Sequence, residues 1–345
     1  MKLRTKRQKL SLDGTMKTGL HMKRKIRFIL LYFASASLLG FLSVLPLAFY
    51  IENADIINKT NILTKMTDIF QETSKKVSTA MLQLSGRYTL IEYSLNEEIA
   101  LSFPAWVANN NPNLPLQGIY IGNHRYESLT QASSMLKNGD TLIIGSGIYT
   151  QPIVIRADDI SVIGNGHVVI EKTAAEGKGA IITKGDNTTI TNIECRNIQV
   201  ADDNGACIRH EGTNLTLKNV YFHNSEQGVL TGEKPGSVVI EGSRFEQLGK
   251  NGQAHGIYIG GGELIINNSL FLAAKSEGHE IKSRAATTRI TASTIASLSS
   301  IDSRLIDIPN GGVLEIFDSI LEQGPNSANQ DMIGYELERS THHIN

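Results

Sequence analysis

LTLKNVYF at 215–222, VVIEGSRF at 238–245 and LIINNSLF at 264–271 are three copies of one phrase. Working outward, four more copies align with them: ISVIGNGH from 160, TTITNIEC from 188, TRITASTI from 288 and LEIFDSIL from 314. Their starts lie 23 to 28 residues apart, the period of a repeated supersecondary unit. The third position is always aliphatic: Val162, Ile190, Leu217, Ile240, Ile266, Ile290 and Ile316. The eighth is apolar in six copies, as Cys195, Phe222, Phe245, Phe271, Ile295 and Leu321. The fifth reads Gly164, Asn192, Asn219, Gly242, Asn268, Ala292, Asp318. Gly, Asn and Asp enter the left-handed backbone region at little cost, so this column predicts a sharp bend on every turn.

A second short β-type run precedes most copies: IVIR before 160, AIIT before 188, CIRH before 215, GIYI before 264 and LIDI before 314. Strand, corner, strand, loop at this period describes one coil of a parallel solenoid. No single coil buries its inward residues, whereas stacking makes the aliphatic and Phe columns continuous. A leucine-rich or other α/β solenoid is the alternative, and the repeats lack the helix-forming half it needs. On these residues the chain resembles the right-handed parallel β-helix proteins of the pectate-lyase-like superfamily, over about residues 120 to 335. The resemblance implies an all-β, right-handed, single-stranded parallel β-helix. It also implies a cap at the solenoid start, here a helix over 127–137 followed by NGDTLIIGSGIYTQPI from Asn138 to Ile153.

The N-terminal part reads differently. Residues 1–27 carry ten Lys or Arg against Asp13 alone, a basic cytoplasmic tail. Phe28 to Tyr50 is an uncharged run of 23 residues, long enough to span a bilayer as a helix. Basic residues before it and Glu52 and Asp55 after it place the N-terminus inside and the remainder outside. ASAS lies mid-run and no clean cleavage site follows, so a retained signal anchor is expected, with the β-helix periplasmic or extracellular. Residues 51–118 read as a helical stalk and linker. Ile56, Leu63, Phe70, Val77 and Leu84 recur every seven residues, with Lys59, Met66, Thr73 and Ala80 as an uneven second half-seam. The stalk packs on itself or on the solenoid, with oligomerisation as the alternative. FPAWVANNNPNLPLQG at 103–118 is the linker, 119–345 the β-helix domain and ERSTHHIN a frayed tail.

Residues 28–345 hold 23 basic and 33 acidic residues, a net charge near −10 that excludes nucleic acid as a general partner. Cys195 and Cys207 are expected as two free thiols, with a disulfide as the alternative, since Cys207 falls on a run whose side chain points the other way. No Cys/His spacing suggests a metal site, and no cofactor is expected; calcium-dependent members of the resembling family show acidic clusters, which have only Glu211, Glu233 and Glu280 as counterparts here.

Outward residues of the second strand run carry any chemistry, because adjacent coils present them about 4.8 Å apart. Counting back from the anchored segments puts Arg209, Thr231, Tyr258, Lys282 and Asp307 in one column. Glu211, Glu233, Gly260 and Arg284 lie two residues on, and His255 and His279 two or three earlier. Abstraction of a proton α to a carboxylate needs a base, an acid and cations for the enolate-like charge. The resembling family includes uronate lyases and C5-epimerases that use such residues. The resemblance implies Lys282 or His255 as base, Tyr258 as acid, and Arg209 and Arg284 as carboxylate clamps, with Glu211 and His279 at the substrate. The expected partner is therefore an acidic polysaccharide. Two other readings stand beside it: a non-catalytic glycan-binding or envelope scaffold protein, and a protein-binding surface. In both, Arg209–Glu211 and Lys282–Asp307 are ordinary cross-coil ion pairs and His210 points inward.

Overall fold

The computed structural model describes residues 93–338 and 341–342. The basic tail, the span expected at 28–50 and the expected stalk up to residue 92 lie outside them. Among the described residues no helix is long and apolar enough to cross a membrane.

After an antiparallel hairpin of Ile119–Ile121 and His124–Tyr126, the chain winds from Thr141 onward into a parallel β-helix of about seven turns. Eight short strands, from Ile153–Ile155 to Ile333–Tyr335, stack in parallel as one sheet. The other two strands of each coil form a larger sheet, joined through the 11-residue strand Ser161–Glu171. Every aliphatic third position lies in register with the next, from Val162 over Ile190, Leu217, Ile240, Ile266 and Ile290 to Ile316. Cys195, Phe222, Phe245, Phe271, Ile295 and Leu321 stack likewise. The Phe245 ring lies 4.6 Å from Phe271, face to face, and 5.5 Å from Phe222, edge-on. In the first coil Ile170, not His167, continues this column onto Cys195, because the long strand passes straight through the position where later coils turn.

The bend column behaves as its composition requires. Asn192, Asn219, Gly242, Asn268, Ala292 and Asp318 all take φ between 47 and 59°. Gly164, in the straight strand, does not; a side chain there would meet the Asn192 carbonyl. The next position holds a ladder that periodicity did not reveal. Backbone N–H groups of Val220, Ser243, Ser269 and Ser293 each donate to the hydroxyl of the following coil's serine, 3.1 Å away every time. Each hydroxyl passes its own proton to a carbonyl two residues back. The buried corner is thereby satisfied.

Three expectations need correction. Cys195 and Cys207 form a disulfide with Cα atoms 5.8 Å apart. The strand Ala206–His210 buries Ala206, Cys207 and Ile208 in succession, so Cys207 faces the interior despite its place in the alternation. The stretch 103–118 is bound along the solenoid as a strap. Asn109 donates its N–H to the Asn192 side chain and accepts back from it, at 2.7 and 3.0 Å. Asn165 does the same for Asn111 and caps the carbonyls of Leu114 and Pro115. Ahead of the strap, helix α1 (Leu95–Ser102) opens on a Ser94/Glu97 capping box and buries Ile99 against Leu272, Ala273 and Ala296. Lastly, the C-terminal tail folds back: Glu338 N–H bonds Pro309 and Thr341 N–H bonds Asn310. At the other end helix α2 (Leu129–Ser134) seals the first coil with Leu129 and Ala132, a shorter cap than 127–137.

Phe245→Ala should cost about 3–5 kcal/mol in denaturant unfolding, since the ring stacks between two neighbours and leaves a cavity. The exposed Phe317, changed to Ala, should cost under about 0.5 kcal/mol. Equal losses would contradict the assignment of the inward column.

Candidate functional site

The outward column of the eight-stranded sheet runs Ile182, Arg209, Leu230, Tyr258, Lys282, Asp307, Gly334. Tyr258, Lys282 and Asp307 stand where counting placed them. Thr231 does not: it pairs with the inward His210 and Leu230 takes its place. Two more residues separate Thr231 from Val238 than separate His210 from Leu215, and these are register partners. His210 is buried, with Nδ1 2.6 Å from the Thr183 hydroxyl.

Leucine at 230 splits the expected site in two. Arg209 lies 3.5 Å from Glu211, which belongs with Lys178, Lys184 and Glu176 to a separate surface ion network. Tyr258, Lys282 and Arg284 form the other half. The Arg284 Nε donates to the Tyr258 hydroxyl at 2.7 Å, and both cations lie 5.6–5.7 Å from the tyrosine ring. Lys282 Nζ stands 3.4 Å from Asp307 and 3.0 Å from Glu338 Oε1, while Arg284 Nη2 is 2.5 Å from Glu338 Oε2. The Arg284 bond, opposed by burial and aided by Lys282, holds the Glu338 carboxyl below its usual range.

His255 and His279 lie behind this surface, both buried and stacked 4.9 Å apart. His255 Nδ1 accepts the His279 N–H and His279 Nδ1 accepts the Arg304 N–H, each at 3.1 Å. Burial pushes His279 down to about 4 against the pull of Asp307. Burial also pushes His255 well down, reinforced by His279, Lys282 and Arg284. Both rings are thus neutral and their Nδ1 lone pairs are engaged. His255 is built as a structural imidazole rather than a base. Lys282 is held between two carboxylates, Asp307 and Glu338.

A second concave surface lies on the larger sheet, outside every residue chosen from sequence. The strap and α1 form one wall, and the seventh position of the repeat forms the floor: Glu194, Tyr221 and Arg244 in register. The cavity is about 640 Å³. Glu194 receives Arg196 at 2.9 Å and lies 2.6 and 3.1 Å from His167 and His223. Burial would raise its carboxyl, but these partners outweigh that and hold it at about 2. Arg244 pairs with Glu246 at 2.7 Å and donates to the Pro104 carbonyl of the strap. Tyr221 stacks on His223 at 4.2 Å and carries the Arg244 guanidinium 5.5 Å from its ring centre. Burial, reinforced by Glu246, pushes its phenol above the usual range. Trp106 lies 5.8 Å from Tyr221, and its indole N–H is buried with no acceptor. The signal for the floor was present in the repeat, as polar residues directly before the apolar eighth column. The signal for Trp106 was hidden in a stretch with the composition of a linker.

Three comparisons bear on the chain. A family model described as right handed beta helix region matches residues 134–295, in accord with the coil seen here. No curated protein matches the sequence. A solved structure titled Geobacillus virus E2 - ORF18 is similar at 15% identity with a TM-score of 0.38, covering 59% of this chain. The chain spans 46% of that protein's length.

The two histidines give the fold a pH dependence of fixed sign. Their pKa values are depressed, so the unfolded chain takes up protons first. Their contribution is complete above about pH 6.5 and is lost as pH falls toward about 4. The denaturant midpoint should drop across that interval, and His279→Gln should flatten the drop. Parallel pH profiles for variant and wild type would contradict this.

Proposed function

We propose that this is an exported β-helix protein that holds acidic polysaccharide on the face carrying Tyr258, Lys282 and Arg284, and does not turn it over. One observation carries the reading. Lys282 and Arg284 together grip a carboxylate, one cation to each oxygen of Glu338. A uronate carboxylate has the same charge and fork, so it can replace Glu338 without rearranging the cations. Coil spacing of about 4.8 Å lets several residues meet one extended chain. Export is supported by the apolar run at 28–50 and by the buried Cys195–Cys207 disulfide, a bond that persists in oxidising compartments.

The engaged lone pairs argue for binding over catalysis. Proton abstraction α to a carboxylate needs a free base at the surface, whereas His255 is buried with its Nδ1 engaged and Lys282 is paired with Asp307 and Glu338. Arg209 and Glu211 belong to a different network and play no part.

Calorimetric titration with uronate oligosaccharides tests this. Wild type should bind, Lys282→Ala and Arg284→Ala should each weaken binding about tenfold or more, and Glu338→Gln should strengthen it by freeing the clamp. Neither unsaturated product nor C5 proton exchange should appear. Absence of binding in both wild type and Glu338→Gln would remove the reading, and either product would turn it into an enzyme.

A further inference from the structure

We infer that Glu280 and Asp302 share one proton in the interior of the solenoid, and that its loss unlatches the turn 297–302 and helix α1 from the coils. The device lies apart from the carboxylate-binding face and uses none of its residues. Glu280 and Asp302 are 1% and 0% exposed. Glu280 accepts the Ala274 N–H on Oε1 at 3.0 Å, and Asp302 accepts the Ser297 hydroxyl on Oδ2 at 2.5 Å. The remaining oxygens, Glu280 Oε2 and Asp302 Oδ1, are buried without a donor. Yet the two side chains are hydrogen-bonding partners, an arrangement that two carboxylates, acceptors only, cannot make. One proton between them satisfies both orphan oxygens.

No cation offers an alternative. Among the described residues no Lys, Arg or His side chain bonds either carboxyl, and the charge that acts on Glu280 is Asp302 itself. On the loop 273–280, His279 is directed to Asp307 and Lys275 to Glu226 and Lys250. Glu246 lines a cavity of about 10 Å³ with Glu280 and is paired with Arg244. Glu98 and Glu322 reach the same turn but accept the backbone N–H groups of Ser299 and Leu298. Burial and then the Asp302 charge hold Glu280 well above its ordinary range, so the proton sits on Glu280 and is donated to Asp302.

What this proton holds is strained. Leu298 has φ 54°, a region that a bulky side chain enters only at a cost. The same turn anchors α1: the Ser299 N–H donates to Glu98 at 3.0 Å, and Ile99 packs on Ala273 and Ala296. Ionising Glu280 sets two carboxylates against each other in the interior. Swinging the turn outward hydrates Asp302 and relieves both the repulsion and the strain. Helix α1, one wall of the groove, then loses its partner at Ser299. The unfolded chain releases the Glu280 proton near 4.5 while the folded chain keeps it, so the pair's contribution is complete below that pH and falls as pH rises.

Infrared spectra of the full chain at neutral pH should show the carbonyl stretch of an un-ionised carboxylic acid, because exposed carboxylates are ionised there. Glu280→Gln, whose amide donates to Asp302 without a titrating proton, should remove that band. Hydrogen–deuterium exchange between about pH 6 and pH 9, corrected for the intrinsic rate, reads the latch. In wild type, protection of 94–103 and 297–303 should fall by up to about tenfold per pH unit, while the strand Leu215–Lys218 holds. Glu280→Gln should keep both segments protected across the range, and Asp302→Asn, whose amide donates to Glu280, should do the same. The inference is overturned if wild type shows no acid band at neutral pH, or if the band survives in Glu280→Gln. It is equally overturned if wild type and both variants lose protection alike.

Discussion

The structure depends on one backbone constraint: a residue in the left-handed region at the same corner of successive coils, with φ near 50°. A strand cannot turn sharply enough to restart the next strand of its coil without it, and only Gly, Asn and Asp adopt it cheaply. Asparagine does more than tolerate the bend. The Asn192 amide donates to the Gly164 carbonyl of the preceding coil, and the Asn219 amide donates to Asn192. The corners are thereby tied along the stack as well as bent. Asn192 then has enough hydrogen-bonding capacity left to hold both backbone groups of Asn109.

That residual capacity joins fold to function. The strap bonds Asn165, next to Gly164, and then the corner residues Asn192 and Asn219, and Arg244 fixes Pro104 further along. Without it the seventh-position residues would form an open sheet face; with it they become the floor of a cavity. On the eight-stranded sheet the corresponding device is the C-terminal tail, whose Glu338 lies over Lys282 and Arg284. In each case a terminal segment, rather than a coil, gives a flat repetitive surface its local character.

The parts of this arrangement legible in the sequence are those that repeat. Phe222, Phe245 and Phe271 announce their column because each coil must bury the same position, and the corner column announces itself by composition. Register along the outward face was legible where loops match in length, as from Tyr258 to Lys282, and failed at Thr231 where the following loop is longer. Cys207 escaped because three successive buried residues break the alternation from which its direction was read. Trp106 and Glu338 escaped for a deeper reason. Their partners lie far away in sequence, 115 residues on for Tyr221 and 54 back for Arg284, and no local pattern encodes such a contact. His255 and His279 were found, but their burial and backbone bonds, which set what their rings can do, carry no sequence mark.

The most direct test of this dependence is hydrogen–deuterium exchange on the Asn192→Ala variant. Peptides covering 104–111 should lose protection, since Asn109 loses both of its bonds to the corner, while the strand Ala206–His210 on the other sheet should exchange as in wild type. Unchanged protection of the strap would contradict the claim that the corner asparagines hold it and thereby build the groove.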